Sequence, residues 1–137
     1  MKIVLLDTLT FGSTDLSAFD SFGEVEVYQT TSEEQTQERI TNADVIVTNK
    51  VVITNAHMQE CTNLKLICVA ATGMNNVDLE AAKTNNIEVK NVAGYSTDSV
   101  IQHTFSMLFY LMGHSRYDEE VVKDGTYSRS PIFTDVS

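Results

Sequence analysis

The chain has 137 residues, 42% of them apolar, with one proline and six glycines. A domain of that length buries roughly two-thirds of its unfolded surface, so it can close a hydrophobic core without disulfide or metal staples. Nineteen acidic residues against nine basic ones leave a net charge of −10, which repels phosphate backbones and anionic lipid and argues against nucleic-acid binding.

No uninterrupted apolar run reaches the ~18 residues of a membrane span. The opening MKIVLLDTLT is too short for a signal peptide and is broken by Asp7, so it reads as a buried first strand. Cys61 and Cys68 lie seven apart, a spacing that fits neither a redox pair nor a zinc half-site. They are expected to be reduced thiols of a cytoplasmic protein, with Cys68 packed as a small hydrophobe inside LKLICVA. No metal site is expected.

Taken in order, Ile3 to Leu6 predict a first strand, followed by a polar loop over Thr8–Thr14. Glu24 to Tyr28 alternate Glu-Val-Glu-Val-Tyr, the period of a half-exposed strand and hence of a sheet edge. Ser32 followed by Gln35 is a capping-box pair that predicts a helix to about Asn42. Asp44 to Thr48 reads DVIVT, a third strand. Thr54 can cap a short helix ending near Cys61. Leu64 to Ala70 predict a fourth strand, Asp78 caps a helix ending at Asn85–Asn86, and Ile87 to Val89 form a brief fifth strand. Ser96 or Thr97 then caps a long helix reaching Gly113, where glycine permits a left-handed terminal cap. Short connections with intervening helices predict an α/β fold, a flavodoxin-like or Rossmann-like open parallel sheet of five strands in the order 2-1-3-4-5, with helices on both faces.

Beyond Gly113 the chain turns polar, with an amphipathic piece around Tyr117–Val122 and no clear element after Gly125. It reads as a connecting arm. The helix before it is unusual: Val100, Ile101, Phe105, Met107 to Met112 leave almost no polar face. A helix apolar all round needs cover on more than one side, so a second domain or a second subunit is expected against it.

Ligands of an open parallel sheet bind at the carboxyl ends of its strands. Four loops arrive there: Asp7–Thr14, Asn49–Ile53, Ala71–Val77 and Asn91–Thr97. Ala71-Thr72-Gly73-Met74 is the most informative, because a glycine after a strand lets successive N–H groups face a carboxylate. Asn49 and Lys50 can add a donor and a positive charge. Gly73 can equally serve a plain tight turn, and Lys50 a solvated surface. The glycines are Gly12, Gly23, Gly73, Gly94, Gly113 and Gly125, and no two lie within ten residues of each other, so neither a G-x-G-x-x-G fingerprint nor a Walker A loop exists in this chain. His57, His103 and His114 form no ligand pair and no Ser/His/Asp set.

The segments TNK at Thr48–Lys50, ATGMNNVD at Ala71–Asp78 and YSTDSVIQHTF at Tyr95–Phe105 resemble, in this order and spacing, the substrate-side half of the D-isomer-specific 2-hydroxyacid dehydrogenases, most closely their glycerate dehydrogenase and hydroxypyruvate reductase branch. The resemblance implies a parent enzyme that moves a hydride reversibly between NAD or NADP and a small 2-hydroxy or 2-keto acid. It implies substrate contacts at Asn49, Lys50, Thr72, Gly73 and Met74, and cofactor contacts at Ser96 and Val100. It divides the chain into a substrate-side domain over 1–96 and a hinge helix and arm over 97–137 that lead toward a cofactor domain. The arginine, acidic residue and histidine that carry the family's chemistry have no counterpart here, so the expectation is a truncated piece without catalytic residues, inactive alone and binding no cofactor tightly. A homodimer through the Val100–Met112 helix and the following arm is expected.

Three other readings compete. A phosphoacceptor module shares the sheet order but needs an acidic pair after the first strand, where only Asp7 stands, and an Asp after the third, where Thr48-Asn49-Lys50 stands. An FMN binder needs a phosphate loop, which Phe11 spoils in Thr8–Thr14. A stand-alone, non-catalytic binding or assembly module needs only the apolar helix.

Overall fold

The computed structural model describes residues 1–129. Its sheet has five parallel strands in the order β2-β1-β3-β4-β5. These are β1 (Lys2–Leu5), β2 (Glu24–Val27), β3 (Val45–Thr48), β4 (Leu66–Val69) and β5 (Glu88–Asn91). The helices are α1 (Glu33–Ile40), α2 (Asn55–Gln59), α3 (Leu79–Thr84), α4 (Thr97–Met112) and α5 (Ser115–Lys123). The expected strand order holds, with the alternating Glu24–Val27 strand at one edge. The chain divides into two compact units, Met1–Gly94 and a second that starts at Tyr95.

The first unit follows from its patterning. Central strands of a parallel sheet are covered on both faces and read as continuous apolar runs. In β1, Val4 joins Ile46, Ile67, Ile40 and Met58 in one cluster, while Ile3 and Leu5 join Val47 in the other. α1, α2 and α3 contribute Ile40, Met58 and Ala81–Ala82 to the first cluster. The second face is covered differently from expectation. Where a polar loop over Thr8–Thr14 is predicted, Thr8–Phe11 form a 3-10 helix; Ser17–Phe22, for which no element is predicted, form a second, and Phe11, Leu16 and Phe19 pack on Ile3, Leu5 and Val47. Only the β1–β2 connection runs toward the β2 edge; the later ones run the other way. Right-handed crossovers in opposite directions cover opposite faces, so these short turns do the work of a helix.

The helix starts lie where the caps predict. Gln35 Oε1 accepts from the Ser32 N–H at 3.1 Å. Asp78 Oδ1 accepts from the Ala81 N–H at 3.0 Å. At Thr54 the reciprocal partner is a histidine: His57 Nδ1 accepts from the Thr54 N–H at 3.2 Å, and Thr54 Oγ1 accepts from the His57 N–H at 3.4 Å. Each such cap satisfies N–H groups that a helix start leaves without partners.

At the β2 edge, Lys2 Nζ pairs with Glu26 at 2.8 Å and the Tyr28 hydroxyl donates to Glu26 at 3.0 Å. The Lys2 hydrogen bond, and then that of Tyr28, hold the Glu26 carboxyl below its usual range. Burial first, then the bond to Glu26, push the Tyr28 hydroxyl up. Arg39 stacks over the Tyr28 ring at 4.0 Å.

Both cysteines are free. Burial pushes both thiols up, and the Cys61 thiol donates to the Ile40 carbonyl at 3.4 Å. Thiolate is the reactive form, so Cys61 is expected to resist iodoacetamide in the native protein and to react only on unfolding. Alkylation of native Cys61 at the rate of a free thiol would contradict this.

In the second unit, no residue of α4 is buried. Val100, Phe105, Phe109 and Leu111 are all more than half exposed, and the Phe105 and Phe109 rings lie 6.2 Å apart. Two expectations are corrected here. Gly113 is not left-handed (φ −80); the left-handed residue is His114 (φ 50), one position later, where the chain turns into α5. Histidine is among the few non-glycine types enriched in that conformation. The stretch after Gly125 is not featureless, since Tyr127–Arg129 form a 3-10 turn. The rest of the expected arm, 130–137, lies outside the described residues. No helix among the described residues is long and apolar enough to cross a membrane.

Candidate functional site

The carboxyl ends of β1, β3, β4 and β5 meet at one edge of the first unit, and three of their loops are tied to one another. Asp7, at the end of β1, is only 5% exposed. Its carboxylate accepts from the Asn49 N–H at 2.9 and 3.1 Å and from the Lys50 N–H at 2.6 Å. Thr48, fully buried, accepts the next N–H, that of Val51, at 3.1 Å. Three successive N–H groups after β3 therefore face oxygens of the protein itself. Successive N–H groups of this kind form an anion cradle, and here Asp7 is its anion.

The loop after β3 is joined to the loop after β4. Asn76 Nδ2 donates to the Val51 carbonyl at 3.0 Å. The Ile53 N–H donates to the Asn76 carbonyl at 2.8 Å, and the Asp78 N–H to the Ile53 carbonyl at 3.0 Å. The loop after β4 is held from its other side by β5. Asn91 Nδ2 donates to the Thr72 carbonyl at 2.7 Å, and Thr72 Oγ1 donates to the Val92 carbonyl at 3.2 Å. With its carbonyl engaged, this loop leaves the N–H groups of Thr72, Gly73 and Met74 without an acceptor among the described residues. Thr72 and Gly73 are exposed. Fixed, unspent donors at the end of a parallel strand suit a carboxylate or another small anion, because no reorganisation is needed to meet it.

The predicted residues thus divide. Asn49, Lys50, Thr72, Gly73 and Met74 lie on two loops that the structure ties together. Lys50 is exposed, and its ammonium makes no ion pair among the described residues. Met74 is half-buried and packs on the core. Ser96 caps α4 without a side-chain hydrogen bond, and Val100 lies in its first turn, 59% exposed. Asn76 and Asn91 were not singled out from the sequence, and Asp7 entered only as the single acid after the first strand, not as an acceptor for backbone N–H groups. Asp7 had a signal, an acid directly at the end of an apolar strand; the two asparagines had none.

Two competing readings fail on this geometry. Asp7 is buried and spent on backbone N–H groups, which removes it as a phosphoacceptor's metal ligand. The Thr8–Thr14 segment opens with a 3-10 helix rather than a phosphate loop. No cluster of three metal-ligating side chains exists among the described residues. The residues present also do not fit a dinucleotide cradle. The β5–α4 connection contains one glycine, Gly94, where a fingerprint needs three.

A family model described as "D-isomer specific 2-hydroxyacid dehydrogenase, catalytic domain" matches residues 3–130. The chain belongs to that family. It is 35% identical to a hydroxypyruvate reductase of Blautia hydrogenotrophica, over 96% of this chain and 42% of the relative. It is 32% identical to a glycerate dehydrogenase of Methylorubrum extorquens, over the same shares. The chain thus spans about two-fifths of the length of these relatives. Among solved structures, the NAD-dependent formate dehydrogenase of Staphylococcus aureus in complex with NAD aligns with a TM-score of 0.73 at 28% identity, over 91% of this chain and 41% of that one. An acyclic imino acid reductase (Bsp5) in complex with NADPH and D-Arg shares the fold with a TM-score of 0.82 at 22% identity, covering 100% of this chain and 45% of that one. The fold of this 2-hydroxyacid dehydrogenase domain is the family's own.

Proposed function

We propose that this chain is the substrate-side part, residues 1–96, and the hinge helix and arm, residues 97–137, of an NAD(P)-dependent D-2-hydroxyacid dehydrogenase acting in the cytoplasm on a small 2-hydroxy or 2-keto acid. The observation that supports this most is the loop Thr72–Met74, exposed at Thr72 and Gly73, whose N–H groups are unspent among the described residues. They take the substrate carboxylate. Lys50 and Asn49 border the pocket with a positive charge and a donor, and Ser96 and Val100 border the nicotinamide. When bound, the dinucleotide accepts or returns the hydride at the substrate's hydroxyl-bearing carbon. This chain's part is to bind and orient the acid; moving the hydroxyl proton and cradling the cofactor fall to the rest of the enzyme. Alone, it is inactive.

The test compares the full-length protein with residues 1–137. The full-length protein is expected to oxidise a D-2-hydroxy acid such as D-glycerate in preference to its L isomer with NAD or NADP, and the 137-residue chain is expected to turn over neither. Turnover by the chain alone, or full-length protein inert toward every D-2-hydroxy acid tried, would overturn the reading.

We also propose that the chain pairs through α4 and the following arm. A large apolar side chain left in water forgoes roughly 1.5–3 kcal/mol of burial, and contiguous patches drive association. Residues 1–137 are expected to sediment as a dimer or larger, and Phe105→Glu with Phe109→Glu to shift them toward monomer. A wild-type monomer at high concentration would contradict the pairing.

A further inference from the structure

The buried Asp7 carboxylate has no role in the reading above. A charge taken from water is costly unless it is paired or hydrogen-bonded. Among the described residues it meets no cation; it meets the N–H groups of Asn49 and Lys50, 42 and 43 residues away. From the geometry we infer that Asp7 is a positioning residue for substrate binding. By filling the anion cradle after β3, it fixes the backbone from which Lys50 and Asn49 face the substrate. The N–H groups of Thr72–Met74 at the same edge stay without an acceptor among the described residues.

The chemistry fits a carboxylate better than any neutral stand-in. Both oxygens accept, and the Asn49 N–H is shared between them. An amide in the same place sets its NH2 against an N–H in either rotamer, that of Asn49 at 2.9 Å or that of Lys50 at 2.6 Å. The loop must then shift, and Lys50 moves with it. Hydrogen-bond geometry at a binding site is sensitive to displacements of about 1 Å.

This inference rests on the proposed substrate site, and the experiment separates the two. In the full-length protein, KM for a 2-keto acid and kcat are measured for Asp7→Asn, Lys50→Ala and the double variant, with thermal melting as a check on folding. Lys50→Ala is expected to raise KM about tenfold, as loss of one charge-assisted contact does. Asp7→Asn is expected to raise KM by a similar factor with kcat within about twofold. The double variant is expected to be worse than Lys50→Ala alone by less than the full Asp7→Asn factor, because Asp7 acts partly through Lys50 and partly through Asn49, and effects that share a contact do not multiply. If Lys50→Ala leaves KM unchanged, the substrate-site reading fails and the role of Asp7 fails with it. If Lys50→Ala raises KM and Asp7→Asn does not, or if the two effects multiply, the site stands and the role of Asp7 falls. Should Asp7→Asn not fold, Asp7→Glu, which keeps a carboxylate but displaces it by one methylene, takes its place with the same expectation. If neither folds, Asp7 is a determinant of the fold and the inference is overturned.

Discussion

Replacing Gly73 by valine in the full-length protein is expected to raise KM for a 2-keto acid about 100-fold while leaving the fold intact. Gly73 is not in the left-handed region, so a side chain adds no backbone strain there. A Cβ at this position would meet only Asn75 Oδ1, at 3.1 Å, and Asn75 is an exposed side chain free to move. The two methyls of valine, however, would stand over the N–H groups of Gly73 and Met74. Each bond from such a group to a carboxylate is worth about 1.5 kcal/mol or more, and every 1.4 kcal/mol is tenfold in affinity. Ground state and transition state share the carboxylate contact, so the loss belongs in KM rather than kcat. Steady-state kinetics beside thermal melting decide the matter. An unchanged KM in a folded variant would remove the Thr72–Met74 loop from the proposed substrate site.

The second large effect is on stability. Ile46 lies in β3, the middle strand, in register with Val4 of β1 and Ile67 of β4, and all three are fully buried. Ile46→Ala leaves a cavity between neighbours held by the sheet ladder, which cannot collapse to fill it. Such truncations cost about 2–5 kcal/mol, a large share of the 5–15 kcal/mol typical of a domain. Val25 of the edge strand β2 is only half-buried, so Val25→Ala is expected to cost less. Urea unfolding of both variants measures the difference; equal midpoints would contradict the placement of the core.

Much of this fold was legible because its causes are local. Asp78 caps the helix that begins at the next residue, and Ser32 with Gln35 does the same three residues apart. The Glu24–Val27 strand lies at an edge as its polar-apolar alternation implies, although its burial does not alternate, with Glu26 half-buried and Val27 exposed. The 3-10 helices over Thr8–Phe11 and Ser17–Phe22 were not legible. Phe11, Leu16 and Phe19 form too short and broken a pattern to read as a helix, and they gain order from the sheet face they cover. Nor was the turn at His114, where a residue without glycine's freedom takes the left-handed conformation.

The site divides along the same line. Chain order and apolar patterning determined by themselves that four loops end at one edge of a parallel sheet, and that Thr72–Met74 and Asn49–Lys50 are among them, since strand direction and crossover handedness follow from short-range sterics. Only the tertiary structure decided which donors at that edge remain free. Asp7 takes the N–H groups of Asn49 and Lys50, and Asn91 engages the Thr72 carbonyl, because the β1–β3 and β4–β5 ladders bring together groups distant in sequence. Hydrogen-bond satisfaction is a property of the whole fold, and no window of sequence contains both partners.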